Sequence, residues 1–491
     1  MRKLLVLLFV AFGLISISAQ NKQLLYDFNE IPQSLLLNPG TKPSFKWHVG
    51  VPVLSAFNLQ AGSSGVTVND LFANDGIDFT AKVRERVINS MTERDEFSLS
   101  GQLELFNAGF RSRNNPDIYY SFGMYGEGYL SQFWPKDLAI LAFEGNANNL
   151  NRQFNFSDLT TQGEVVNVLH FGVNKQLDQD WTVGARAKLY SSVLEFKSKG
   201  NTGYFETTQG QDNILRNSVV ANVELKTSGL QEFLDIIDED TGTTQVDLMN
   251  RFVSRSLFGG NLGIGVDLGF TKSLGANSYF TASLLDLGFV YHSNAVKNYQ
   301  VVGSASNEGL EIRLPDDLAN FNDQLWQELI DDLEEQVDYS TNQASWLSLR
   351  PIKLYSSFRY NFGEQSTGGG RTRRDNCGCA YNVGGGSAND QQVGDYKNAV
   401  GGQLFVINRP KGSQAALTAF YQRRLGNFLA LKTTYTVDKY SLSNIGLGLN
   451  FQAGPVNFYV LGDNLLAYSN IADSHYASFQ FGFNILSWNS N

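Results

Sequence analysis

Residues 262–270 read Leu262-Gly263-Ile264-Gly265-Val266-Asp267-Leu268-Gly269-Phe270. In an extended chain the apolar side chains of Leu262, Ile264, Val266, Leu268 and Phe270 share one face, while Gly263, Gly265, Asp267 and Gly269 share the other, a strict period of two. The stretch from Trp181 repeats the pattern, with Val183, Ala185, Ala187 and Leu189 opposed to Gly184, Arg186, Lys188 and Tyr190. Near the C-terminus Ala477, Phe479, Phe481, Phe483 and Ile485 alternate with Ser478, Gln480, Gly482 and Asn484. A soluble sandwich also alternates, but its polar face meets water and tends to carry Lys, Glu and Thr. Long apolar faces backed by small or polar ones fit a membrane barrel, apolar outside and crowded inside.

Composition agrees. Charged residues are 18% of the 491, with 47 Gly, 35 Phe and 21 Tyr. Mean hydropathy is negative, at -0.22, and past the N-terminus no run of about 18 apolar residues suggests a spanning helix. Strands are predicted near 44–60, 94–108, 114–130, 164–176, 180–198, 258–272, 277–293, 348–362, 395–408, 411–424, 427–438, 440–453, 455–467 and 474–487. These fourteen strands predict an all-β, transmembrane antiparallel barrel spanning 44–491. Short turns at 176–180, 273–277, 425–427 and 453–455 then share one end, read as periplasmic. The long insertions 61–93, 131–163, 199–257 and 294–347 share the other, read as extracellular. Apolar stripes at helical spacing near 80–91, 229–240 and 316–336 predict helices in three of these insertions.

Arg2 and Lys3 ahead of the apolar run Leu4–Ile17, with Ser18-Ala19 before Gln20, read as a signal peptide over 1–19. Export by the general secretory route to a bacterial outer membrane follows. The chain is acidic, with 38 Lys and Arg against 48 Asp and Glu, so nucleic acid is not an expected partner. The Gly-rich loop 364–394 falls at the periplasmic end and holds Cys377 and Cys379. One Cys pair is too few for a structural zinc site; a tight local disulfide, a thiol pair bridging to a partner, and a tolerated insertion all remain open.

No nucleophile elbow, phosphate loop or His-Glu-x-x-His motif stands out, and His292-Ser293 point to opposite faces of a strand. The chain is therefore read as non-enzymatic, without cofactor or metal. Arg186, Lys188, Asp267, Asp286, Lys432 and Asp463 are expected to face the lumen as a charge network, because confined charges need opposite partners. Leu318, Phe321, Leu325 and Leu329 form the stripe of an acidic helix that could dock a partner or pack on the rim.

Several stretches resemble outer-membrane barrels of Bacteroidota: Leu25-Tyr26-Asp27-Phe28 with Leu37-Asn38-Pro39-Gly40, Gly172-Val173-Asn174-Lys175 with residues 183–188, Asp286-Leu287-Gly288-Phe289, and Gly462-Asp463-Asn464. The resemblance is to a family related to the PorP/SprF-like proteins of type IX secretion and, more distantly, to FadL and PorV barrels. It implies fourteen strands with residues 20–43 folded into the lumen as a hatch.

Two functions are expected from these readings. The first is a subunit or docking platform of an envelope secretion or assembly complex, with outer-membrane lipid and other envelope proteins as partners. The alternative is a FadL-like passive carrier of hydrophobic small molecules. Docking is preferred, because the inward faces look small and polar.

Overall fold

The computed structural model describes residues 22–210, 215–238, 244–308, 338–365, 396–426 and 428–488. Fourteen antiparallel strands close into one barrel: β1 in two pieces, Phe45–Gly50 and Phe57–Ser63, β2 Glu96–Arg111, β3 Ile118–Phe133, β4 Thr161–Gln176, β5 Trp181–Ser198, β6 Asn261–Ser273 and β7 Ser278–His292. There follow β8 in two pieces, Trp346–Leu349 and Lys353–Gln365, β9 Tyr396–Arg409, β10 Gly412–Leu425, β11 Leu429–Val437, β12 Asn444–Ala453, β13 Val456–Asp463 and β14 Tyr476–Trp488. Each pairs with its sequence neighbours, and β14 closes the ring on β1, with Val49 opposite Ile485 and Leu59 opposite Phe479. Closure gives each of the fourteen wall strands a neighbour on both sides, so the wall itself has no free edge among the described residues.

The period of two reappears as alternating exposure. On β6 Leu262, Ile264, Val266 and Leu268 are exposed, Ile264 by 58%, while Gly263, Gly265 and Asp267 are buried. The outward belt includes Phe358, Tyr360 and Phe479, the apolar and aromatic surface that a barrel presents to lipid.

Two strands expected to be continuous are broken, each at a proline. β1 is interrupted over 51–56 around Pro52, and β8 over 350–352 around Pro351, because proline has no N–H for the ladder. At the first break Val53 adopts φ 67°. The wall stays stitched there: Val53 N donates to Leu105 O at 3.1 Å and Phe483 N to Leu54 O at 2.9 Å.

The long connections carry more strand than expected. Thr202–Gln209, Leu215–Ser228, Asn298–Glu308 and Asp338–Asn342 pair above the rim, the second of them also bonding the outer end of β5. Helices do form at Phe79–Lys82, running on through Val83–Ile88, at Leu230–Asp238 and at Thr244–Ser254, with others at Val68–Phe72 and Lys136–Glu144. Val66, Val83, Val87, Met91, Ile140 and Phe154 close over that end as a small apolar core. The stripe Leu318, Phe321, Leu325 and Leu329, the pair Cys377 and Cys379, and the signal peptide lie outside the described residues.

Candidate functional site

Ahead of β1 the described chain occupies the lumen and leads to the short-turn end. Residues 22–43 run inside the wall, with one helical turn at Ser34–Leu37, and reach mid-barrel at Lys22. The apolar residues Leu24, Leu25, Tyr26, Phe28, Ile31 and Leu37 form one buried cluster with Leu285, Tyr355, Phe405, Ile407, Tyr459 and Leu461 of the wall. Tyr26 stacks on Tyr355 with centroids 4.9 Å apart. The inward face is thus not uniformly small and polar, as the sequence suggested, but carries an apolar seat for this segment. Burial of each such side chain contributes roughly 1.5–3 kcal/mol.

Glycine provides the room. A Cβ on Gly184 would fall 1.9 Å from Pro39 O, and one on Gly269 would fall 2.2 Å from Asn38 Oδ1. Side-chain bonds fix the same stretch: Asn174 Nδ2 donates to Pro39 O and Thr41 O, both at 2.8 Å, and Gln33 Nε2 donates to Glu104 and Asn484, both at 2.8 Å.

Four of the six expected network residues come together. Arg186 lies 3.1 Å from Asp267, and Lys188 lies 2.9 Å from Asp267 and 2.6 Å from Asp286. A bulge brings both carboxylates into one site: the β6–β7 register shifts between Val266 and Leu268, Asp286 takes φ 61°, and its N–H donates to Asp267 at 2.8 Å. Arg186 also donates to the carbonyls of Leu35 and Leu36, at 2.7 and 2.9 Å, so the network holds the luminal segment as well as the wall.

Lys432 and Asp463 sit apart from that cluster. Lys432 is 0% exposed, donates to the Gln23 and Tyr26 carbonyls, and lies 4.6 Å above the Phe420 ring. Asp463 accepts from Ser478 at 2.7 Å. Their strands lie too far round the ring from β5–β7 to share those charges.

A second buried cluster escaped the sequence reading. Arg350, at the β8 break, bridges Glu127 and Glu164, while Lys353 meets Asp286 at 2.8 Å. Above it His292 lies 2.8 Å from Glu195, whose other oxygen accepts from Ser348 at 2.5 Å. Histidine and serine both bind the carboxylate and not each other, so this trio lacks a nucleophile–base contact.

Between the luminal segment and the long-loop ends of the strands lies a cavity of about 70 Å³, lined by Lys22, Gln60, Tyr129, Arg350, Lys353 and Arg409 among others. One water needs roughly 10–15 Å³ on this measure. The floor is Lys22, which donates to Gln102. Outside the wall, beside the cap, Lys82 donates to Asp75 and holds that carboxyl well below the usual carboxylate range, with Arg86 assisting at 2.9 Å.

A closed fourteen-stranded antiparallel barrel, apolar outside and filled at one end by its own N-terminal segment, is the class that fold and lumen define. The chain belongs to the Family of unknown function (DUF5723), whose model matches residues 39–463. Among solved structures it is similar to the P. putida toluene transporter TodX, at 9% identity and TM-score 0.36, covering 97% of this chain and 96% of that one. It is also similar to the CymD monoaromatic hydrocarbon channel, at 10% identity and TM-score 0.37 with 94% of each chain covered. A third is a Pseudomonas aeruginosa FadL homologue, at 8% identity and TM-score 0.35, covering 96% of this chain and 97% of that one. These are barrels of the outer-membrane type. No curated protein matches the sequence.

Proposed function

We propose that the protein is an outer-membrane barrel for passive solute passage, in which the N-terminal segment acts as a hatch. One observation carries this reading: a cavity lies on the long-loop side of residues 22–43, and that segment blocks the way onward. The long loops then face outside and the short turns face the periplasm, the chain having been exported with residues 1–19 as a signal peptide. Part of the hatch's seat is polar, and hydrogen bonds to Asn174, Gln33 and Arg186 can be exchanged for bonds to water, which an all-apolar plug could not do. The cavity lining is mixed, with Leu99, Phe405 and Ile407 beside the cations Lys22, Arg350, Lys353 and Arg409, and those cations favour a solute that carries an acidic group over the purely hydrophobic cargo expected of a FadL-like carrier.

The test is conductance in planar bilayers. Wild-type barrel is expected to show low, gated conductance, and a chain lacking residues 22–41 a large, steady one. Equal and negligible conductance from both would overturn the reading.

A second reading, a docking subunit of an envelope secretion or assembly complex, is supported by exposed apolar side chains on the rim helices Leu230–Asp238 and Thr244–Ser254: Ile237, Val246, Met249, Phe252 and Val253. Co-purification of envelope proteins in mild detergent, lost in Met249→Asp/Phe252→Asp, would favour it; recovery of the barrel alone would count against it.

A further inference from the structure

We propose that the luminal cavity is a binding site for a small oxyanion, a carboxylate or a phosphate, held by Lys22, Gln60, Tyr129 and Arg409. The inference rests on the passage reading for the side from which the anion arrives, and on the cavity itself for everything else.

The lining has more donors than protein groups can use. Gln60 is 5% exposed; its Oε1 accepts from Ser100 at 3.2 Å, while its buried Nε2 has no protein partner. The Tyr129 hydroxyl and Arg409 Nε are likewise buried and unmet, with the Arg409 guanidinium stacked 5.4 Å above the Tyr129 ring. A buried donor left unmet costs roughly 1–3 kcal/mol, so three beside one cavity point to an occupant that accepts hydrogen bonds. The three come from β1, β3 and β9, and the hatch adds Lys22 from below.

Charge selects an anion. Of the basic residues on the lining, Arg350 is matched by Glu127 and Glu164, and Lys353 by Asp286. Among the described residues, Lys22 and Arg409 have no carboxylate partner. Glu127 is the one acid on the lining, and its charge faces Arg350. An oxyanion would meet two unpaired cations and two neutral donors, and the planar guanidinium suits a two-oxygen acceptor. The volume admits only a few heavy atoms, which sets the size of the anion.

Titration calorimetry on the full-length barrel in detergent, with inorganic phosphate and acetate in separate arms and chloride as the background salt, tests the site. One saturable equivalent of phosphate or acetate is expected, and the arm that binds identifies the oxyanion. Arg409→Gln should weaken binding at least tenfold and Tyr129→Phe several-fold, whereas Lys272→Gln, on the wall beside Trp181, should leave it unchanged. Each variant is first checked for the heat-dependent gel shift of a folded barrel. No saturable binding in either arm, or equal binding by wild type and Arg409→Gln, would overturn the site. Failure is separable from that of the hatch reading: binding with no hatch-dependent conductance sinks the gate alone, and gating without binding sinks the site alone.

Discussion

A methyl group on Gly184 would be driven to 1.9 Å from the carbonyl oxygen of Pro39. The wall at β5 and the luminal segment touch backbone to backbone there, with no flexible side chain to yield. Gly184→Leu is therefore expected to unseat residues 38–41 while the strands still pair. In bilayers the variant should conduct more than wild type, and Gly402→Ala, whose Cβ would meet only Thr418 O at 3.9 Å, should behave as wild type.

Arg186→Met leaves Asp267, itself 0% exposed, with Lys188 as its one remaining cation and strips two bonds from the hatch. Breaking one partner of a buried pair costs about 3–5 kcal/mol. The midpoint of urea unfolding, followed by the gel shift, should fall clearly. Arg186→Met/Asp267→Leu should recover part of the loss, because the under-paired carboxylate is gone while Lys188 keeps Asp286 at 2.6 Å.

Lys432 spends its charge on hatch carbonyls. Lys432→Met keeps most of the volume and removes those bonds, so hydrogen exchange over residues 23–28 is expected to quicken severalfold while exchange in β10 and β11 stays slow. Unchanged exchange over 23–28 would show that the apolar seat alone holds the segment.

Asp75 gives a pH signature at the cap. Its carboxyl is depressed by the Lys82 hydrogen bond, so its stabilising contribution is present above the unfolded value and is lost as pH falls through the folded one. Exchange over residues 73–90, corrected for intrinsic rates, should match at pH 7 and pH 5 and rise only below about pH 4. Asp75→Asn should show the faster rate at every pH.

Much of the barrel was legible because lipid outside and crowding inside impose a period of two, and fourteen such runs stand in the sequence. The losses trace to places where that period slips. The extra residue lies on β2 between Glu104 and Phe106, on β5 between Ser192 and Leu194, and on β7 between Leu284 and Leu287. Past each bulge the inward parity reverses, so Glu195 faces the lumen although Lys188 and Tyr190, of opposite parity, do so too. A strict alternation therefore finds Arg186, Lys188 and Asp267 and misses Glu195, although its partner His292 shares the parity of Asp286. Arg350 was hidden differently, standing just before the proline that breaks its strand. The cavity had no signature at all, since Gln60, Tyr129 and Arg409 meet only through the curvature of the closed wall.

The pairing of β14 with β1 sets an order of events. Residues 22–43 precede every strand, yet the wall that encloses them is complete only when Ile485 and Phe479 reach Val49 and Leu59. The earliest part of the barrel chain to emerge must wait for the latest before it is shut in. Until then the seat at Gly184 and Gly269 is reachable from the side, and the segment can be laid against a half-built wall without being threaded through a finished one.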